Sequence, residues 1–584
     1  MVDVDPVMLE IIRYGLLQAM DEMKIKLIKT SIDKTIYVSK DFSCGIFNER
    51  GDLVAQSLGL PHFVANLQKS ILSSADDIGG FDKFEDGDVY MTNDPYRVVA
   101  HVPDIDIFMP IFHEGELVGF TASRAHWADI GASKGFITNA REVYEEGILL
   151  PSVRAYRNGE PDPSVLRILR ANSRMPETSE GNLRAQVAAS LAGKQRLLAF
   201  IEKFGADTFR SAMDSIMEHA EAIARKRILS IPDGVYTGEG YVDDDTIHPD
   251  KPLKVAVKVT VDSDEMTVDL TGSNEKTEGS MNIGRQLTET VCRMGLCYLM
   301  PVGFPINQGI FRPLRIIIPD GSIFAAERPS ATTLGYHAGD VACDLIRTVL
   351  AEAMPESTCA PNYGGACNSM ITGYGPDRTY FFVVGINAGG GGAKPYEDGE
   401  DALIFGDLAN VPAEVKEKTW PLRVEQYALY ENSEGPGKYR GGLGIVEDIR
   451  FLGERGEFTT WISRHKVPSW GVLGGGAPRC NCASINPGTP EERVVPRANS
   501  EPLAKGDLAR LTCGGGAGYG NPLDRDPELV RYDVVRELIS EERARTMYGV
   551  LLTGASLGTK VDAEGTERLR AQLRAQGGVK TDVC

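Results

Sequence analysis

The sequence predicts a multi-domain α+β protein of mixed sheets and long helices, with a glycine-rich, β-rich second half. Three observations predict it. The chain has 584 residues, more than one ordinary hydrophobic core organises, so several domains are expected. Two long runs, "GNLRAQVAASLAGKQRLLAFIEKFG" and "ADTFRSAMDSIMEHAEAIARKRILSI", repeat their apolar residues at helical spacing. Between about 360 and 520, strand-like segments alternate with the glycine runs "NAGGGGAKP", "YRGGLG", "GVLGGGAP" and "CGGGAGYGNP".

Taken in order, residues 1–30 read as one helix, with acidic residues early and lysines late as the helix dipole prefers. "CGIFNERGDLVAQS" reads as a hairpin turning at Glu49–Arg50–Gly51–Asp52, and "PHFVANLQKSILSSADDI" as a helix. Three strands follow in "GDVYMTND" and "DIDIFMPIFHEGELVGFTASRAH", the last two joined by a turn at His113–Glu114–Gly115–Glu116. After the two long helices, Pro232–Asp233–Gly234 marks a turn. "LKVAVKVTVDSDEMTVDLTGS" alternates over two strands about Asp262–Ser263–Asp264. "LTETVCRMGLCYLM" and "HAGDVACDLIRTVLAEAM" are helical by period, as is a pair near the end in "DRDPELVRYDVVRELISEERARTMYGVLL". The last 15 or so residues are polar and expected to be loose. These elements divide into an α+β region at 1–175, a long helical segment at 176–232, a β-rich α+β region at 233–525 and a helical end at 526–584.

Composition narrows the function classes. A formal charge of −20 argues against a nucleic-acid-binding face, which needs a basic stripe. The N-terminus lacks the basic start and continuous apolar core of a signal peptide. No stretch has about 18 uninterrupted apolar residues, so no membrane span is expected. A cytoplasmic location follows as the expectation, with the ten cysteines as thiols. The Cys480–Asn481–Cys482 pair has no second pair at zinc-ligand spacing. No glycine run matches a phosphate-binding loop, and the glycines are expected instead to serve tight turns and close backbone packing.

The chemistry concentrates in "AHVPDIDIFMP" and "ASRAHWADIGA". Of the eight histidines, at 62, 101, 113, 126, 219, 248, 337 and 465, His101 and His126 each have an aspartate three residues on. An antiparallel hairpin would place His101 before its first strand and His126 at the end of its second, so that their side chains converge. A carboxylate added to two histidines makes a set that suits zinc, manganese or iron(II), and Asp41, where the chain enters a strand, is a candidate for it. The competing reading is ordinary polar residues at strand ends. His62 and His126 are alternatively an acid or base, since imidazole titrates near neutrality. Arg97 and Arg124 flank the histidines and suit a phosphate or carboxylate, or equally a salt bridge to the many nearby acids. Glu146 is weighed as a site acid against a solvated surface acid.

Eight blocks in order, among them "DFSCGIFNERGDLVAQ", "NDPYRVVAHVPDIDIFMPIF", "GELVGFTASRAHWADIGA", "PINQGIFRPLRIIIPDGS" and "PLRVEQYALYENSEGPGKYRGGLG", resemble the hydantoinase B/oxoprolinase family from about residue 5 to 553. The resemblance implies the second subunit of an ATP-dependent enzyme that opens hydantoins, 5-oxoproline or other lactams, using a metal-bound water to hydrolyse an intermediate that the partner subunit phosphorylates. ATP and Mg would then be bound by a hydantoinase A-type partner in a heterotetramer or larger assembly, which fits the absence of a phosphate loop here. One divalent metal (Zn, Mn or Fe) is implied in this chain. On the family pattern Asp41, His101 and His126 match the metal positions, with Asp104 or Asp129 as further ligands. Asp104, Asp129 and Glu146 are then candidate proton-transfer acids, and His62, Arg97 and Arg124 candidate substrate contacts. A related branch implies instead a subunit of an acetone- or acetophenone-type carboxylase. A non-catalytic scaffold for the ATP-binding partner is the third reading. The sequence departs from the family in Gly181–Asn182–Leu183, where a carboxylate is usual, and in bulkier residues after His62. The resemblance therefore does not single out hydantoin.

Overall fold

The computed structural model describes residues 4–57, 59–63, 65–375, 378–554 and 558–577. The architecture is α+β, built from several separate sheets. The first sheet holds seven strands: β1 (Phe42–Phe47), β2 (Leu53–Gln56), β3 (Val89–Thr92), β4 (Asp104–His113), β5 (Glu116–His126), β6 (Val153–Arg157) and β7 (Glu160–Pro161). Its spatial order is β2-β1-β5-β4-β3-β6-β7, with antiparallel pairing throughout. The β4–β5 hairpin turns at Glu114 and Gly115, as predicted. Both have positive φ, 51° and 86°, the twist that suits a two-residue hairpin.

Strand alternation decides what each face of this sheet meets. Ile105, Ile107, Met109 and Ile111 of β4 join the core formed with the helix Pro6–Thr30 and the helix Pro176–Phe204. Asp104, Asp106 and Phe108 take the opposite face, where Phe108 belongs to the same core as Tyr336 and Trp461. Both faces are therefore covered, and two aspartates are carried into the interior. The N-terminal helix starts on Pro6, with Asp5 accepting from Val7 and Met8 N–H, a cap that satisfies donors otherwise left free. The two long helices are Pro176–Phe204 and Ala206–Ile228, broken at Gly205 with φ +83°.

The expected strand pair is Leu253–Asp262 and Glu265–Asp269, within a four-stranded sheet completed by Gly234–Val242 and Leu314–Ile317. The helices Arg285–Cys297 and Tyr336–Thr348 share its core. A further four-stranded sheet runs Tyr380–Asn387, Cys367–Tyr374, Arg455–Ile462, Glu501–Ala504, and a five-stranded one includes Leu422–Leu429 and Ile445–Phe451. The glycine runs pack backbone against backbone. Gly442 N–H donates to Gly391 O and Gly516 N–H to Gly442 O, and a Cβ on Gly442 or Gly516 would fall on a neighbouring carbonyl.

Two expectations need correction. Of the last 15 or so residues, those to 575 belong to the helix Ala563–Ala575, capped by Asp562, whose carboxylate accepts from Gly565 N–H, while 578–584 lie outside the described residues. Eight of the described cysteines are free thiols, but Cys480 is disulfide-bonded. Among the described residues no helix is long and apolar enough to cross a membrane.

Candidate metal centre

Antiparallel register brings the two histidine motifs together. Asp104, the first residue of β4, stands directly opposite His126, the last of β5. His101 lies in the turn just before β4, where Asp104 N–H donates to His101 O at 3.1 Å. Directly opposed residues of an antiparallel pair hold their Cβ atoms about 4.5–5.5 Å apart, within reach of one ion. The result is a triangle: His101 Nε2 to Asp104 Oδ1 is 3.2 Å, His101 Nε2 to His126 Nδ1 is 3.2 Å, and His126 Nδ1 to Asp104 Oδ1 is 3.3 Å. All three residues are buried. Ligands held about 2.0–2.1 Å from a tetrahedral ion lie roughly 3.3 Å from one another, so this donor set fits a divalent cation such as zinc.

The second oxygen of Asp104 is occupied, because Tyr336 O–H donates to Oδ2 at 2.9 Å. That hydrogen bond leaves Oδ1 for the triangle. Burial opposes charge on Asp104, yet the two imidazoles hold its carboxyl far below the ordinary carboxylate range. Burial pushes His101 down, against the pull of Asp104. It opposes charge on His126 as well, but Asp104 and Asp41 raise that imidazole overall.

Asp41 precedes β1, and its carbonyl accepts from His126 N–H at 3.1 Å. Its Oδ1 is buried with no hydrogen-bond partner among the described residues. Burial, helped by the Asp104 charge and opposed by His126, raises its carboxyl to about 6. Asp41 lies outside the close group of His101, Asp104 and His126, but it lines the same cavity with a buried oxygen that no described donor satisfies, as a further cation ligand would.

The triangle opens on a cavity of about 60 Å³. Its walls are mostly apolar and aromatic, and include Phe136, Met370, Phe382, Phe405 and Trp461. The His101 ring meets Trp461 at 5.0 Å and Tyr336 at 5.3 Å, both edge-on. His62 enters the same cavity, with Nε2 2.8 Å from Asp340 Oδ1.

Of the residues singled out in the sequence, Asp41, His62, His101, Asp104 and His126 share this cavity. The others lie elsewhere. Asp129 is held by Arg174 N–H and by Arg174 Nη1 at 2.8 Å. Glu146 accepts from Thr332 N–H at 2.6 Å and Thr333 N–H at 2.8 Å, pinning the loop that leads into the helix Tyr336–Thr348. Arg97 Nη1 pairs with Asp77 at 2.7 Å, the salt bridge weighed as its alternative. Arg124 is fully buried behind the triangle, bound to both oxygens of Asp106 at 2.6 and 2.7 Å.

Tyr336, Asp340 and Trp461 carry no motif and escape sequence reading. One signal was available: Tyr336 and Asp340 are four residues apart and therefore on one face of their helix.

Comparison with known proteins agrees with this architecture. The sequence profile of the hydantoinase B/oxoprolinase family matches residues 5–522. The B-type component of a proposed D-/L-hydantoinase from Pseudomonas sp. (strain NS671) is 31% identical, covering 97% of this chain and 98% of that protein. The crystal structure of the ATP-dependent caprolactamase from Pseudomonas jessenii superposes with a TM-score of 0.91 at 26% identity, over 98% of this chain and 100% of that one. A nucleotide-free acetone carboxylase structure also reaches 0.91, at 19% identity, over 98% of this chain and 83% of the other.

Proposed function

The chain belongs to the hydantoinase B/oxoprolinase family, and we propose that it is the metal-bearing subunit of an ATP-dependent amidase that opens cyclic amides. The observation that carries this reading is the buried triangle of His101, Asp104 and His126 at the floor of an apolar cavity. In this reading His101, Asp104, His126 and Asp41 hold one zinc, manganese or iron ion. When bound, the ion supplies Lewis acidity, which activates water and polarises an amide oxygen.

The protein's own groups prepare the rest. Tyr336 fixes which oxygen of Asp104 faces the ion site. Phe136, Phe382, Phe405 and Trp461 exclude bulk water and suit the hydrocarbon part of a small ring. Asp129, Glu146, Arg97 and Arg124, each engaged outside the cavity, act as supports for the loops and strands that carry the site. ATP and Mg are assigned to a hydantoinase A-type partner in a hetero-oligomer. The hydantoinase relative is itself one component of a multi-subunit enzyme, which supports a partner, and the chain here offers no phosphate loop.

The acetone carboxylase likeness rests on fold, so the cyclic-amide reading stands first. The test is ATP turnover by the chain co-purified with its partner, given 5-oxoproline, ε-caprolactam or hydantoin. Ring opening without bicarbonate supports an amidase. Turnover only with bicarbonate and a ketone assigns a carboxylase, and absence of bound metal assigns a scaffold.

A further inference from the structure

A second polar pair enters the cavity beside the metal-ligand triangle. His62 Nε2 lies 2.8 Å from Asp340 Oδ1, and both side chains are buried. The other ring nitrogen of His62, Nδ1, is buried and has no hydrogen-bond partner among the described residues. An ionised carboxylate only accepts, so Asp340 selects the tautomer with hydrogen on Nε2 and leaves a lone pair on Nδ1.

The pair is built in, not incidental. Tyr336 packs edge-on against the His62 ring at 4.7 Å, and Phe405 lies 6.4 Å away. Gly365 leaves room for the carboxylate, since a Cβ there would fall on Asp340. Tyr336 and Asp340 stand one turn apart at the start of the same helix. One residue of that turn orients Asp104, and the other orients His62. A single rigid element thus sets both groups relative to each other.

Building on the cyclic-amide reading above, we propose that His62 is the proton-transfer residue of this cavity and that Asp340 is its positioning residue. As a water oxygen forms the new C–O bond, His62 Nδ1 takes one of its protons, while Nε2–H stays on Asp340. His62 then returns that proton to the ring nitrogen as the C–N bond breaks. Water is thereby divided as OH to carbon and H to nitrogen, and the imidazole ends neutral. The titratable groups that face His62 are Asp340, Tyr336, Asp41 and His337.

The test has two independent arms. In the metal-loaded chain, ¹⁵N-histidine NMR, with His62 assigned through His62→Gln, is expected to show Nε2–H and a bare Nδ1 at neutral pH. A proton fixed on Nδ1 there overturns the proposal whatever the substrate is. In the complex with its partner and ATP, His62→Gln is expected to lower kcat by about 10²–10⁴-fold with bound metal unchanged. Asp340→Ala is expected to lower kcat with KM and bound metal unchanged and to let the His62 proton move between the two ring nitrogens in the NMR spectrum, and Asp340→Glu to restore both. A purely structural role would leave the Nε2–H tautomer in place in Asp340→Ala. Retention of more than a tenth of kcat in His62→Gln overturns the proposal. A wild-type complex that opens none of the three rings overturns the cyclic-amide reading instead, and the NMR arm still decides the pair.

Discussion

Asp104 and His126 face each other directly across the β4–β5 pair, with Oδ1 and Nδ1 3.3 Å apart. A shift of one residue in that register would send one of them to the helix-covered face, so the hairpin turn at Glu114–Gly115 sets the site as well as the sheet.

The first expected outcome concerns metal stoichiometry. The purified chain should carry one divalent ion, and His101→Ala/His126→Ala should carry none, measured by elemental analysis after removal of loosely bound metal. An unchanged content in the double variant would place any ion elsewhere.

Tyr336 is the only described residue hydrogen-bonded to Asp104 Oδ2. Tyr336→Phe keeps the ring that packs against His62 and His101 and removes only this donor. Metal affinity should weaken by about 10–100-fold, as for other supports of metal ligands. Competition with a chelator reads this directly.

The Arg124–Asp106 pair is fully buried and bidentate. Burial raises the Asp106 carboxyl to about 6 even against the pull of Arg124. Arg124→Met strands that carboxylate and should cost about 3–5 kcal/mol. Removing both charges in Asp106→Leu/Arg124→Met should recover most of the loss. Urea denaturation of the wild type, single and double variants checks both statements.

Away from the cavity, Asp243 is buried against His465, and Lys466 and Val467 N–H donate to it. Burial alone would raise its carboxyl, but these partners hold it down at about 2. A depressed carboxyl contributes stability above its unfolded value near 3.8, and that contribution is lost as pH falls toward 2. Wild type should therefore lose about 2 kcal/mol more than Asp243→Asn between about pH 4 and pH 2. A constant difference across that window would show that the ion pair is not the source.

Much of the local structure was legible because its signals are local. The strand alternation of "DIDIFMPIF", the Glu114–Gly115 turn and the two amphipathic helices each depend on residues close in sequence. Asp104 could be placed on the same face as Asp106 by period alone. What period could not say was that Asp104 joins the His101–His126 triangle while Asp106 serves as the counter-ion of Arg124. Glu146 and Asp129 look equally catalytic in the sequence. They differ from Asp104 only in what surrounds them, namely backbone donors at 332–333 and Arg174.

The amino-acid sequence by itself determined the family, the α+β class and the convergence of His101 with His126, since a short hairpin leaves their approach little freedom. Only the tertiary structure decided the rest of the cavity. Tyr336, Asp340 and Trp461 arrive more than 200 residues downstream of the hairpin, on a helix and a strand whose own patterns read as ordinary core. Their positions follow from sheets and helices packing across long loops, which no local spacing records. For that reason the two histidines of the candidate metal centre could be read from the sequence, and the groups that orient His62 and Asp104 could not.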